Sequence, residues 1–455
     1  MFNRKPGTKS IFISLKNGIL HRVQNTGFAA LARESMFFEN IDSLIYIFLM
    51  LTLVSCAFCE SGYIGVFALC FSILQSIKLF IKKGARTKIS LFDKAIMVYF
   101  AFVVLSLFGS TLFALSLKGF MKTAVYMYFY FSALSYFLDN KEKILPTILA
   151  ISGLVSFESI IAVIQNNSGI LAIAGWQDTT NLDPTQVISR AYGTLKPYNP
   201  NLLAGYLVAG LSSLWCLSMI NLLNKHYKRF LGFLILMLLS TVAIIYTGSR
   251  GGYLGIAAFY GIFALGCVYY IQNYLGGFKA IRKRYKNLAL TLICAALVFI
   301  MSNPAITNRI LSIFEFRGDS SIAFRMNVYA SSFKMFLDNP FLGIGVGNKN
   351  FREIYGLYMR SGFDALGSYC VPLEIAVESG IFALIAFVTF LVMWCRDCFR
   401  VIKNAPQRTK IVAFSLILSI LPVMTHGLFD TVWFRPQIQI LFWLNVAFLG
   451  ALKEN

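Results

Sequence analysis

"SLIYIFLMLTLVSCAF", residues 43–58, runs without a single charged side chain. A stretch of this composition has no use for water on any face, and it is close to the roughly 20 apolar residues that cross a bilayer as a helix. Outward from it the same pattern recurs at 62–81, 94–116, 120–138, 144–165, 202–223, 230–247, 252–270, 287–303, 371–394, 411–428 and 438–452, which makes about twelve expected spans. With 455 residues, 57% of them hydrophobic and 13% charged, the chain holds far more apolar surface than a water-soluble core needs. The expected fold is an all-α polytopic membrane protein of about 12 transmembrane helices with two long outer-face loops.

Charge sets the expected orientation. Residues 1–42 form a basic leader with Arg4, Lys5, Lys9, Lys16, Arg22 and Arg33 and no cleavable signal pattern, so both it and the C-terminus are expected in the cytoplasm. "KKGARTK" (82–88), "NKEK" (140–143), "NKHYKR" (224–229), "FKAIRKRYK" (278–286) and "RDCFRVIKNAPQRTK" (396–410) then all fall on the same inner side. The formal charge of +21 is gathered in these connections, which points to anionic membrane lipids as partners rather than nucleic acid. The cysteine pairs Cys56/Cys59 and Cys395/Cys398 fall at opposite faces in this topology, so no shared metal site is expected.

The chain divides into the leader (1–42), N-terminal spans (43–165), a first outer loop (166–201), central spans (202–303), a large outer loop (304–370) and C-terminal spans (371–455). Within the large loop, "SSIAFRMNVYASSFKMFLDNP" predicts a helix capped near Ser320 or Ser321, with Phe324, Val328, Met335 and Phe336 near one face and an end before Pro340. It is expected to lie against the outer surface of the bundle.

Three outer segments carry the candidate chemistry. "SRAYGTLKPYNPN" (189–201) brings Arg190, Lys196 and Asn201; "GSRGG" (248–252) surrounds Arg250 with glycines; and a third segment runs from Arg325 through "NPFLGIGVGNKNF" (339–351) to "ALGSYCVPLEIAVESG" (365–380). Arg190, Arg250 and Arg325 converging on one pocket suit a phosphate-bearing ligand, because guanidinium forks bind phosphate oxygens in pairs. The alternative is that each snorkels to headgroups or pairs with an acid such as Asp183 or Asp319. The glycines of "GIGVGNKN" lack a nucleotide fingerprint and read as a turn. Glu158, Glu374 and Glu378 are ionisable residues in or beside apolar spans, with Glu374 and Glu378 on one helical face and either structural or proton-handling roles open. His21 and His226 fall on the inner side; His426, in "THGLFDTVWFRPQ" (425–437), falls on the outer side and reads first as a helix-end histidine bonded to Asp430.

Together "GTLKPYNPNLLAGYL", "TGSRGGYLG", Arg325-x-x-x-Tyr329 with "FLDNPFLGIGVGNKNF", and "LEIAVESGIFAL" resemble the O-antigen ligase and polymerase superfamily of bacterial envelope proteins, from about Tyr192 to Gly380. The resemblance implies a metal-independent, cofactor-free inverting glycosyltransferase in the inner membrane with its site facing the periplasm. Its donor is an undecaprenyl-diphosphate-linked glycan, and its acceptor is a lipid or glycan hydroxyl. Arg250 and Arg325 correspond to the family's essential arginines, with Arg190 and Lys196 assisting at the diphosphate and Asn201 and Glu378 supporting. The histidine that serves family ligases as base is replaced here, where Tyr369 and Cys370 stand at its position. A tyrosine of ordinary pKa near 10 is a poor base, which leaves His426 or Glu378 as substitutes. "THGLFDTVWFRPQ" and "YMRSGFDALGSYCVPLEIAVESG" look closer still to a cyanobacterial-type subgroup named as bicarbonate transporters, so transport is the alternative reading. It is the less favoured one, because a transport path needs polar groups through the bundle and few are visible.

Overall fold

A computed structural model of the chain describes residues 26–27, 34–82, 90–169, 190–274, 302, 307, 320–360 and 362–453. Nearly all of the expected 287–303 span, most of the leader, the charged runs 83–88 and 278–286, and Asp183 and Asp319 lie outside the described residues.

The described residues are helical, with no strand among them. The helices are α1 (Ile41–Phe58), α2 (Ser61–Ile81), α3 (Leu91–Gly109), α4 (Phe113–Asp139), α5 (Ile144–Ser168), α6 (Pro200–Leu223), α7 (Tyr227–Tyr246) and α8 (Arg250–Tyr274), then α9 (Ser320–Asp338), α10 (Asn348–Tyr355), α11 (Val371–Asn404), α12 (Gln407–Gly427) and α13 (Pro436–Leu452). Among the described residues nine helices are long and apolar enough to cross a membrane, the make-up of a multi-pass membrane protein. α13 is apolar but shorter; α4 begins with exposed Lys118 and Lys122 and is not one of the nine.

Helix starts follow local chemistry. Ser90 and Asp93 close a capping box on α3, and Asn199 caps α6 ahead of Pro200, whose missing N–H is harmless at the first helical position. The apolar run expected at 94–116 is instead two helices that meet at Ser110–Leu112. Gly109 ends the first because the segment around Leu342 and Gly343 crosses there: a Cβ on Gly109 would lie 2.8 Å from Leu342 Cβ and 2.9 Å from the Gly343 carbonyl oxygen.

α6 and α13 form the axis of the bundle, with nearly every residue of both enclosed. α5, α7 and α12 pack on α6, α4 and α12 pack on α13, and α3 lies along α11. At the 82–90 end of the bundle, buried Lys78 joins α2 to α1 through Asp42 (2.5 Å) and to α4 through Asp139 (3.3 Å). Asp397 of α11 likewise holds Lys453 after α13 at 2.6 Å.

The opposite end carries the loops, and its organising feature is a break in α11. Gly380 has φ +82°, so the helix stops and restarts there. The carbonyls of Val377 and Glu378 are released by the break and accept the amides of Ile344 (2.9 Å) and Gly345 (3.0 Å), while the Ile381 amide donates to the Pro340 carbonyl (2.8 Å). The glycines of "GIGVGNKN" provide the expected turn: Gly343, Gly345 and Gly347 all have positive φ. Residues 341–350 are then sandwiched between the α3–α4 corner and α11, with Asn350 Nδ2 donating to the Ile344 and Gly345 carbonyls at 2.9 and 2.8 Å.

α9 forms where its periodicity places it, and Val328 and Met335 are fully buried in a second cluster with Phe351, Tyr355 and Val377. Its Ser331 hydroxyl donates to the Tyr358 carbonyl at 2.8 Å.

A Cβ at Gly380 would fall on the Phe341 carbonyl oxygen, whereas Gly153 of α5 has nothing within 4 Å. Gly380→Ala should therefore lower the melting temperature in detergent, by the equivalent of about 2 kcal/mol or more. Gly153→Ala should leave it unchanged or raise it by about 0.5–1 kcal/mol.

Candidate functional site

The loop end gathers the N-termini of three long helices, each carrying a candidate residue: Asn201 in the first turn of α6, Arg250 as the first residue of α8, and Tyr369 just ahead of α11. Such ends bear partial positive charge and unpaired amides, so they suit an anion.

"SRAYGTLKPYNPN" is moored to α5 by two side chains. Gln165 Oε1 accepts the amides of Tyr192 (3.1 Å) and Gly193 (2.9 Å), and its amide nitrogen returns a bond to the Gly193 carbonyl at 3.1 Å. Glu158 accepts the Thr194 amide at 2.9 Å and, on its other oxygen, the Thr194 hydroxyl. Glu158 is thus a backbone clamp.

This mooring aims Arg190 at the "GSRGG" turn. Its Nε donates to the Thr247 carbonyl at 2.7 Å and its guanidinium donates to Asn201 Oδ1 at 2.5 Å. The Asn201 amide nitrogen donates in turn to Asp430 Oδ2 at 2.8 Å, and the same oxygen receives the Arg325 guanidinium at 3.3 Å. Asp430 Oδ1 accepts the Thr431 amide at 2.7 Å. One carboxylate and one amide therefore tie Arg190 and Arg325 into a single chain of charge-assisted bonds.

Tyr369 lies under Arg325, with the guanidinium carbon 5.7 Å from the ring centre, and Phe324 packs edge-on against the same ring at 5.8 Å. Its backbone has φ +50°, and its carbonyl accepts the Tyr329 hydroxyl at 3.2 Å. Burial pushes the Tyr369 phenol up to about 12, with the Asp430 charge adding to the rise and Arg325 opposing it. The phenol stays protonated through any physiological pH, so the residue at the expected base position is a stacking platform.

Arg250 is only 7% exposed. The turn before it needs Gly248, at φ +58°, and Ser249 Oγ accepts the Gly252 amide at 3.2 Å. Gly251 meets the His426 ring so closely that a Cβ there would lie 2.7 Å from Nε2. His426 is completely buried, and among the described residues neither ring nitrogen has a hydrogen-bond partner. The expected His426–Asp430 bond is therefore absent: α12 ends at Gly427, the chain turns away, and Asp430 serves Asn201 and Arg325 instead.

The remaining candidates are placed elsewhere. Glu378 accepts the Gly347 amide at 2.9 Å and Glu374 accepts the Ser368 amide at 2.9 Å, so both carboxylates hold the large loop onto α11. The Lys196 carbonyl accepts Gln437 Nε2 at 2.9 Å, while among the described residues its ammonium has no hydrogen bond or ion pair. Among the described residues no group of three His, Cys, Asp or Glu is arranged to hold a metal ion. The donors around Asp430 are guanidinium and amide groups, which match an anion.

Residues 235–388 match the family described as O-Antigen ligase. No curated protein matches the sequence. The matched region contains Arg250, Arg325, Tyr369 and Glu378 but ends short of His426 and Asp430 and begins after Arg190 and Asn201.

Asp430, expected from the sequence to bond His426, is instead the anchor of Asn201 and Arg325. Removing it as Asp430→Ala should lower stability by about 1.5–3 kcal/mol, because a bond to a charged group is lost and Arg325 keeps its burial. Asn201→Ala should lose less, and the double substitution should fall short of the sum, since both act on one bonded chain. Melting temperatures of the four proteins check this.

Proposed function

We propose that the chain is an O-antigen ligase-like glycosyltransferase, moving a glycan from an undecaprenyl-diphosphate-linked donor to a hydroxyl of a lipid or glycan acceptor at the outer face of a bacterial inner membrane. The observation that carries this reading is the fixed pair of guanidiniums, Arg190 and Arg325, joined through Asn201 and Asp430. The similarity of residues 235–388 to O-antigen ligases supports it, because that region holds Arg250 and Arg325.

In this mechanism Arg250 and Arg325 grip the diphosphate, Arg190 holds the wall behind them, and Lys196 supplies a flexible cation. The acceptor oxygen attacks the anomeric carbon from the side opposite the diphosphate, the carbon–oxygen bond to the diphosphate breaks, and the configuration inverts. Negative charge grows on the departing diphosphate as that bond opens. The Arg325 guanidinium, already held by Asp430, needs only a small turn of its fork to stabilise it, and such preorganised donors contribute most where charge develops.

The acceptor proton needs a base. Tyr369, with its phenol raised to about 12, is a poor base, and Glu374 and Glu378 each already hold a loop amide. His426 remains, beside Gly251, with two ring nitrogens that have no hydrogen-bond partner among the described residues. Its ring is covered, so the role requires the Gly251 contact to part when the acceptor enters.

Arg250→Ala or Arg325→Ala should lower transfer from a purified undecaprenyl-diphosphate donor by about 10²-fold or more, the effect of losing one donor to a developing oxyanion. Both proteins should insert at normal levels. Full activity in either, or labelled bicarbonate accumulating in proteoliposomes with no transfer, would overturn the assignment.

Tyr369→Phe keeps the ring under Arg325 and removes only the hydroxyl. It should retain transfer with an unchanged pH profile up to about pH 10, because a phenol raised to about 12 does not titrate below that. His426→Gln should abolish transfer while leaving donor binding intact.

A further inference from the structure

α9 has two apolar faces, and only one is covered. Val328, Ser331 and Met335 turn into the protein. On the opposite side Met326, Phe333 and Leu337 follow one another at helical spacing and are 52%, 53% and 57% exposed. The flanks between these faces are polar. Lys334 lies over the Tyr358 ring at 5.8 Å and Asp338 accepts the Tyr358 hydroxyl at 2.8 Å on one flank, while Arg325 reaches Asp430 on the other.

The exposed stripe does not end with the helix. Just beyond it, Phe341 is exposed and stacks on Phe382 at 6.0 Å, and Phe382 stacks on Phe102 at 5.5 Å. Phe382 and Phe102 belong to α11 and α3, two of the helices with the length and composition to cross a membrane. An aromatic ladder therefore leads from the side of two spans to Phe341, three residues past the end of α9 and its exposed stripe. Elsewhere on those spans, Ile385 and Val388 of α11 and Phe108 of α3 are also exposed. A face continuous with surface that hydrocarbon must cover is itself suited to hydrocarbon, and polar flanks at the height of its edges suit the headgroup layer.

We propose that α9 is an interfacial helix whose Met326, Phe333 and Leu337 stripe, with Phe341, is embedded in phospholipid beside α3 and α11. Its partner is the bilayer itself. Arg325, on the flank of this helix, then stands at headgroup depth, where a phosphate carried by a membrane lipid is presented without leaving the bilayer. The proposal rests on the multi-pass membrane character of the chain and not on the transferase reading, so transfer activity neither supports nor weakens it.

The test places a bimane fluorophore on single cysteines introduced by Phe333→Cys, Leu337→Cys, Arg352→Cys and Val388→Cys, with the native cysteines replaced, in phosphatidylcholine nanodiscs. Doxyl-labelled phosphatidylcholine quenches from within the bilayer, and iodide quenches from water. Probes at 333 and 337 should follow the one at 388, with blue-shifted emission and quenching by shallow doxyl lipid. The probe at exposed Arg352 should be quenched by iodide. Quenching at 333 and 337 by iodide alone, with 388 responding to doxyl lipid, would sink the proposal while leaving the membrane spans standing. Protection from both quenchers would also overturn it, since another protein surface would then cover the stripe. Failure of the probe at 388 to respond to doxyl lipid would remove the spans and the proposal together.

Discussion

The loop end of this protein depends on a helix that is interrupted. The interior carbonyls of a helix can accept from an outside segment only if the helix's own ladder is broken, and Gly380 breaks it with a backbone conformation that side chains resist. Two carbonyls freed in this way take the amides of Ile344 and Gly345, and Glu378 takes that of Gly347. The same segment is braced from within by Asn350, whose side-chain amide donates to the Ile344 and Gly345 carbonyls. Because this segment is the return limb of α9, its anchorage sets where α9 lies, and with it Arg325. The buried glutamates belong to this arrangement: in surroundings poor in water, a carboxylate that accepts loop amides satisfies groups that otherwise stay unpaired.

Much of this was legible because it is local. Hydropathy summed over a span's length identified the nine described helices long and apolar enough to cross a membrane, and the period of residues 320–338 showed both the helix and its buried side, Val328 and Met335. What was not legible depends on pairings between distant segments. The corner at Ser110–Leu112 has apolar residues on both sides, and its cause is the crossing of Leu342 and Gly343. Glu374 and Glu378 sit on one face, as their spacing requires, but spacing does not tell which amides meet them. Asn201 and Asp430 are 229 residues apart, so nothing in either neighbourhood announces their bond.

The His426–Asp430 expectation shows how a local rule fails. Residues four apart share a face only while the helix continues. α12 stops at Gly427, so the four-residue interval spans a helix end and the two side chains part. The carboxylate then goes to the stronger partner available, since a guanidinium offers charge as well as hydrogen bonds. His426 is left against Gly251, a position that no larger residue at 251 allows.

The charges at Asp430 also explain how a site can be both preformed and ready for an anion. Arg325 needs a counter-charge when the site is empty of ligand, because a guanidinium at 18% side-chain exposure keeps little water. A single carboxylate that also accepts Asn201 and the Thr431 amide divides its acceptor capacity three ways. Its bond to Arg325, at 3.3 Å, is the longest of the three. A diphosphate carries more than one negative charge and several oxygens, so it competes well for a guanidinium held in this manner. Asp430 can keep its bonds to Asn201 and Thr431 while Arg325 turns part of its fork to the ligand. The holder thus fixes the arginine without saturating it, and the residues that do the holding lie outside the region similar to O-antigen ligases. The two holders, Asn201 and Asp430, themselves come from distant parts of the sequence, brought together where α6 packs against α12.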